Sequence, residues 1–184
     1  MDAAHVTDCF PELDAIGDDS LQAGVVDAWL VAADEGGVAD LRSFPWLPPT
    51  ERDLGIAGEE TLVGHVRDVV ACARALADAL TTRRGTDVDR DLLVAGALVH
   101  DVSKLVEFDG MEPTPTYDLL GHPHYGVHLV AAAGLPVECS HIVLSHTSRT
   151  TVEPAFLEAQ LVRRADEVAA DAIRAGAVDD LREA

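Results

Sequence analysis

Residues 92–105 read LLVAGALVHDVSKL, and the fold turns on this stretch. Leu92, Leu93, Val94, Ala95, Ala97, Leu98 and Val99 make it almost uninterruptedly apolar, which predicts a helix buried at the centre of the molecule. His100 and Asp101 stand at the end of that run. A polar pair so placed has to be satisfied, because an unpaired buried carboxylate costs several kcal/mol. An arginine partner would satisfy it, and so would a divalent metal ion.

Helical spacing continues on both sides. Leu62, Val66, Val69, Ala73, Leu76 and Leu80 mark one face of a long helix over residues 61–80, preceded by Glu59 and Glu60. Thr86-Asp87 and Asp89 to Asp91 form a polar break before the central helix. After it, a helix over about 123–133 is stopped by Gly134. Pro136 suits the first turn of the next helix, which carries Val137, Ile142, Val143 and Leu144. Pro154 opens a last helix that runs through Ile173 to Gly176. Upstream, Leu21, Val25, Trp29 and Ala32 predict an amphipathic helix over about 20–34, ended by Gly36-Gly37. Pro45, Pro48 and Pro49 mark the following segment as an irregular connector. Trp29 and Trp46 are read as anchors that staple this part onto the core, a substrate pocket being the other place for them. Neither a hairpin signal nor strand-length alternation is present. The expected fold is all-α, with an N-terminal helical extension over residues 1–57 packed on a core domain over 58–184.

Composition narrows the partners. The 184 residues are 48% hydrophobic and 25% charged, enough for one domain with a substantial core. No apolar stretch approaches the roughly 20 residues of a membrane span, and no signal peptide is visible. Cys9, Cys72 and Cys139 are scattered, without a C-x-x-C spacing, so a reducing cytoplasm is expected rather than a disulfide framework. The formal charge of -20 argues against a nucleic-acid duplex as partner. Lys104 is the sole lysine among 13 basic residues. Such an acidic, lysine-poor surface suits a high-salt cytoplasm, and an acidic GC-rich genome gives the same composition.

His65 lies on the apolar face of its helix, among Leu62, Val69 and Cys72. Asp166 lies on the inner stripe of the last helix, near Val162, Ala169 and Ile173. Alone, each reads as a core histidine or a tie between helices. Together with His100-Asp101, on three separate helices, they make a metal site of imidazole and carboxylate, suited to Fe, Mn, Zn, Ni or Co.

The order His65 … His100-Asp101 … Asp166 resembles the HD-domain superfamily of metal-dependent phosphohydrolases, a helical fold named for that dipeptide. The match spans about residues 58–175. Residues 97–105, ALVHDVSKL, resemble the superfamily's most specific segment, in which a lysine commonly stands three positions after the aspartate. Residues 121–126, GHPHYG, resemble a family pattern that points to His122, and HIVLSH over 141–146 offers His146. The resemblance implies a compact helical bundle with two divalent transition metals per chain. His65, His100, Asp101 and Asp166 would hold one, His122 and His146 the other, and Asp101 would bridge them. Two departures stand out. Ser103 replaces a common glycine, and the His-Glu and Gly-Tyr-Pro elements of the cyclic-dinucleotide branch are missing.

The activity implied is hydrolysis of a phosphomonoester or phosphodiester of a nucleotide or small metabolite. It would proceed through a hydroxide bridging metals about 3.5–4 Å apart. Lys104, one helical turn from His100, would place a compact positive charge on a phosphate oxygen. Arg149 is a second phosphate contact. His124, His128 and His141 remain as substrate contacts, proton carriers or bland polar groups. Two rival readings stand beside this one. A mixed-valent di-iron site, as in some relatives, would activate dioxygen and cleave a C–C or C–P bond. A binding module would keep the fold without turnover. Relatives of this size are often homodimers.

Overall fold

A computed structural model describes residues 1–56 and 58–183 of the protein. Along the chain run α1 (Ala3–Cys9), α2 (Asp19–Gly36), α3 (Pro48–Leu54), α4 (Leu62–Arg84), α5 (Arg90–Val99) and α6 (Lys104–Glu107). After a two-stranded hairpin come α7 (Pro115–Leu119), α8 (His122–Ala132), α9 (Val137–Ser145) and α10 (Leu157–Ala177).

The apolar run makes α5 the centre of the bundle. Leu93, Ala95, Ala97, Leu98 and Val99 are all fully buried. Asp89 caps the helix by accepting from the Leu92 amide, and Asp91 accepts from the amides of Gly17 and Asp18. Around α5 pack α4, α10, α9 and α2. One continuous core results, reaching from Val6 and Phe10 through Val69, Leu98 and Ile142 to Ala169. Each fully buried Val, Leu or Ile contributes about 1.5–3 kcal/mol relative to exposure. Helix starts at Asp18 and Thr61 follow the same capping logic, with side-chain oxygens accepting backbone N–H groups.

Residues 1–56 share this core. Val6, Phe10, Leu13, Val25 and Trp29 belong to the same cluster as α5, and the Trp29 indole N–H donates to the Leu98 carbonyl at 3.1 Å. Trp29 is thus a staple. Trp46 is equally buried but packs elsewhere, with its ring centroid 5.1 Å from that of His65.

The fold class is all-α as the sequence implies, with local corrections. The stretch 92–105 is not one helix. It breaks after Val99, turns through i→i+3 bonds from Val102 to Val99 and from Lys104 to Asp101, and restarts as α6. The proline connector contains α3, because Pro48 and Pro49 occupy its first turn, where a missing N–H costs nothing. A hairpin does exist, with β1 (Phe108–Asp109) antiparallel to β2 (Glu112–Pro113) around Gly110. Two residues per strand leave no alternation to read. The last helix begins at Leu157 rather than Pro154 and runs past Gly176, and Val137 is exposed rather than core.

Candidate metal centre

The break after Val99 makes the site. His100 stays in helical conformation, and its Nδ1 lies 2.6 Å from the Ala97 carbonyl. A carbonyl only accepts, so Nδ1 carries a proton and Nε2 is the ring nitrogen turned toward the cluster. His146, at the end of α9, repeats the device with the Val143 carbonyl at 2.6 Å. Gly121, at φ 73° and ψ 157°, reaches a backbone region open essentially to glycine alone. That turn starts α8 with His122 in its first position and Pro123 in its second. The Ser103 hydroxyl donates to the His122 carbonyl at 2.7 Å.

These devices gather six side chains. His65 Nε2 lies 3.0 Å from Asp166 Oδ1 and 3.5 Å from Asp101 Oδ2, and His100 Nε2 lies 3.4 Å from Asp101 Oδ2. Across the carboxylate, His122 Nε2 and His146 Nε2 lie 3.5 and 3.6 Å from Asp101 Oδ1 and 3.2 Å from each other. The two oxygens of Asp101 therefore face two different donor sets, His65–His100–Asp166 and His122–His146. Within each set, Asp101 included, the donor atoms lie within 4.8 Å of one another. Lys104 Nζ sits 2.6 Å from Asp101 Oδ2. Asp166 exposes 19% of its side chain against 8% or less for the other five, so solvent reaches the cluster from α10.

Burial opposes charge throughout. It holds His65 and His122 below the usual imidazole range, the neutral form a metal ligand needs. At His100 burial also pushes down, but the carboxylates of Asp101 and Asp166 raise it overall. Burial would lift Asp101, yet Lys104 and His100 hold its carboxyl well below the usual range. Asp166 is lowered against burial by its contact with His65.

The donors fit divalent transition ions. Nitrogen and carboxylate oxygen converge without a thiolate, and both His100 Nε2 and Asp101 Oδ1 are buried without a hydrogen-bond partner among the described residues.

A family model described as the HD domain matches residues 62–171. The chain belongs to the HD-domain family. Its sequence is 33% identical over 114 residues to a dihydroneopterin 2',3'-cyclic phosphate phosphodiesterase from Methanocaldococcus jannaschii. That alignment covers 59% of this chain and 46% of the relative, so the chain spans about half the length of that relative. No solved structure matches it.

All six clustered residues fall inside the HD match. The other candidates scatter. Arg149 lies in the loop after α9, its guanidinium 4.6 Å from the centre of the Tyr117 ring and beside Gly121. His124 is exposed, with Nδ1 3.0 Å from the Leu120 carbonyl. His128 is exposed and faces Glu35 and Tyr125 on the α2 side. His141 Nε2 accepts from the Ala155 amide. Three further neighbours of the cluster are Glu107, which the sequence reading does not name, Trp46, read there as an anchor or a pocket residue, and Ser103, read there only as a departure from the family pattern. Glu107 is fully buried 3.5 Å from His122 Nδ1, Trp46 packs on His65, and Ser103 holds the start of α8.

Proposed function

We propose that this HD-domain protein is a metal-dependent phosphohydrolase acting on a phosphomonoester or phosphodiester of a small molecule. The observation that carries the reading is the split carboxylate of Asp101, one oxygen toward each histidine set, with the Lys104 ammonium against it. On this reading His65, His100, Asp101 and Asp166 hold one divalent ion, and Asp101, His122 and His146 hold a second. Bound there, such ions supply a water of lowered pKa and positive charge for the phosphoryl oxygens.

The chain's own residues do the rest. Asp101 fixes the spacing of the two sets and stays ionised at neutral pH under the pull of Lys104 and His100. Lys104, buried against Asp101, is placed to neutralise charge that builds on a phosphoryl oxygen. Arg149, its guanidinium 4.6 Å from the centre of the Tyr117 ring and beside Gly121, offers planar N–H donors to a phosphate entering past α8. The relative's name makes small cyclic phosphodiesters the first substrates to try.

The test is metal-loaded protein (Mn, Co, Ni or Fe) on a panel of 2',3'-cyclic phosphates, nucleotides and phosphomonoesters. At least one is expected to turn over, and His100→Ala and Asp101→Ala are expected to lose both metal and activity. Silence across the panel at confirmed occupancy overturns the hydrolase. A coupled Fe(II)/Fe(III) paramagnetic signal together with that silence would favour the di-iron oxygenase. Unchanged metal content in both variants overturns the site.

A further inference from the structure

We infer that Glu107 is the positioning carboxylate of the second metal set, holding the His122 imidazole in the tautomer that points a lone pair at the ion. This rests on the two-set reading of the cluster above.

Glu107 ends α6, one turn beyond Lys104, and is fully buried. Neither of its oxygens has a hydrogen-bond donor among the described residues, and the titratable atom facing it is His122 Nδ1, at 3.5 Å from Oε2. A buried carboxylate without partners is among the costliest groups a core can hold. Glu51, the other fully buried glutamate among the described residues, makes the contrast. Its carboxylate accepts from the amides of Leu47 and Gly58, at 3.0 and 2.8 Å, and so ties a loop. The Glu107 carboxylate ties no backbone among the described residues.

His122 is caught between two demands. A neutral imidazole has one N–H. If the proton sits on Nε2, it can donate to His146 Nε2 at 3.2 Å, but Nδ1 then turns a lone pair toward Glu107. With the proton on Nδ1 it serves Glu107, and two Nε2 lone pairs confront each other, because the His146 proton is already committed to the Val143 carbonyl. A cation on the Nε2 side removes the conflict. Both lone pairs would then serve as ligands, the His122 Nδ1–H would face Glu107, and the carboxylate would gain the donor it lacks. Glu107 also adds negative charge to the set that needs it, since His122 and His146 are neutral donors and share only Asp101 Oδ1. A carboxylate behind a ligating histidine commonly changes metal affinity about ten- to hundredfold.

Manganese titration of the purified protein, stripped of metal, tests this by calorimetry and by the paramagnetic signal of a coupled pair. Wild type is expected to take two ions per chain. Glu107→Ala should keep the first and bind the second about ten- to hundredfold more weakly, with loss of the coupled signal. Glu107→Gln, whose amide oxygen can still accept from Nδ1, should fall between. The metal-free Glu107→Gln protein should melt no lower than metal-free wild type, because a structural glutamate would be missed and a frustrated one would not. A second ion bound with wild-type affinity by both variants overturns the inference while leaving the two-set reading intact. So does a metal-free Glu107→Gln that melts well below wild type. Wild type that binds no manganese, cobalt, iron or zinc overturns the two-set reading itself and Glu107's role with it.

Discussion

Asp101 and Lys104 are both at most a few per cent exposed, 2.6 Å apart, and each is the counter-charge the other requires. Asp101→Asn keeps the shape and removes the charge. It is expected to lower metal affinity by more than the roughly hundredfold that partners behind a ligand command. It should also destabilise the metal-free protein by about 3–5 kcal/mol, because the Lys104 ammonium is left buried and unpaired. Urea unfolding of stripped protein reads the second effect separately from the first. Lys104→Met separates chemistry from binding of metal. Metal content should persist while kcat falls about 10²–10³-fold, the scale of one lost charge-stabilising donor. Retained kcat would remove Lys104 from the reaction. Cys139 gives a prediction remote from the site. Burial pushes its thiol from 9.0 up to about 12. A folded value above the unfolded one means that the thiol's contribution is complete below pH 9 and is lost as pH rises toward 12. Relative to Cys139→Ala, wild type should therefore lose about 1 kcal/mol of unfolding free energy between pH 8 and pH 10. A constant difference across that range contradicts it.

At the scale of elements, the cluster depends on how closely α8 and α9 approach each other. A Cβ on Gly126 would stand 2.6 Å from Val143 Cγ1 and 3.3 Å from Ser103 Oγ. Val143 is β-branched and stiff, so it cannot swing aside. Gly126→Ala should cost about 1–3 kcal/mol, read by thermal melting, and weaken the second metal set by moving α8. An unchanged melting temperature would show that the two helices have slack. The same contact explains Ser103, which departs from the family's glycine. Its hydroxyl anchors the first carbonyl of α8 and lies against the face that Gly126 leaves bare. The helices themselves were legible because apolar side chains at spacings of three and four recur over many turns, and His65 and Asp166 stood out as polar residues on such faces. Shorter elements were not. The α3 helix begins on two prolines, and the hairpin is two residues deep. Glu107 was missed although the signal was there: Leu105, Val106 and Phe108 surround it with apolar neighbours, as Val99 and Val102 surround the dipeptide. What sequence cannot supply is the identity of the atom it faces, because α6 and α8 meet only in three dimensions. Trp46 is read from sequence as an anchor or a pocket residue, and its contact with His65 is hidden for the same reason, its segment reaching that helix through the bridge between Pro45 and Thr61.

The whole molecule carries a formal charge of -20, and its arginines are largely spent on carboxylates: Arg42 on Asp8 and Asp40, Arg67 on Glu12, Arg90 on Asp78, Arg163 on Glu153. These pairs are mostly exposed and each contributes about 0–1 kcal/mol. They do not offset the repulsion among the remaining acids, which favours any expanded state over the compact one. Salt acts on the two terms in opposite directions, screening the favourable pairs and the unfavourable excess alike, with a Debye length of about 10 Å at 0.1 M and about 3 Å at 1 M. With 33 acidic residues against 13 basic ones, the excess dominates. Stability is therefore expected to rise with potassium chloride from 0.05 to 0.5 M. A gain of about 1–2 kcal/mol corresponds to roughly 2–8 °C in Tm for a chain of this length. The Asp101–Lys104 pair lies outside this effect, since both side chains are at most 5% exposed and the core shields them from mobile ions. The same salt series on Asp101→Asn should run parallel to wild type, displaced downward by a constant amount. A Tm that falls with salt would mean that the surface pairs outweigh the net charge, and a displacement that shrinks with salt would mean that the Asp101–Lys104 pair is open to solvent.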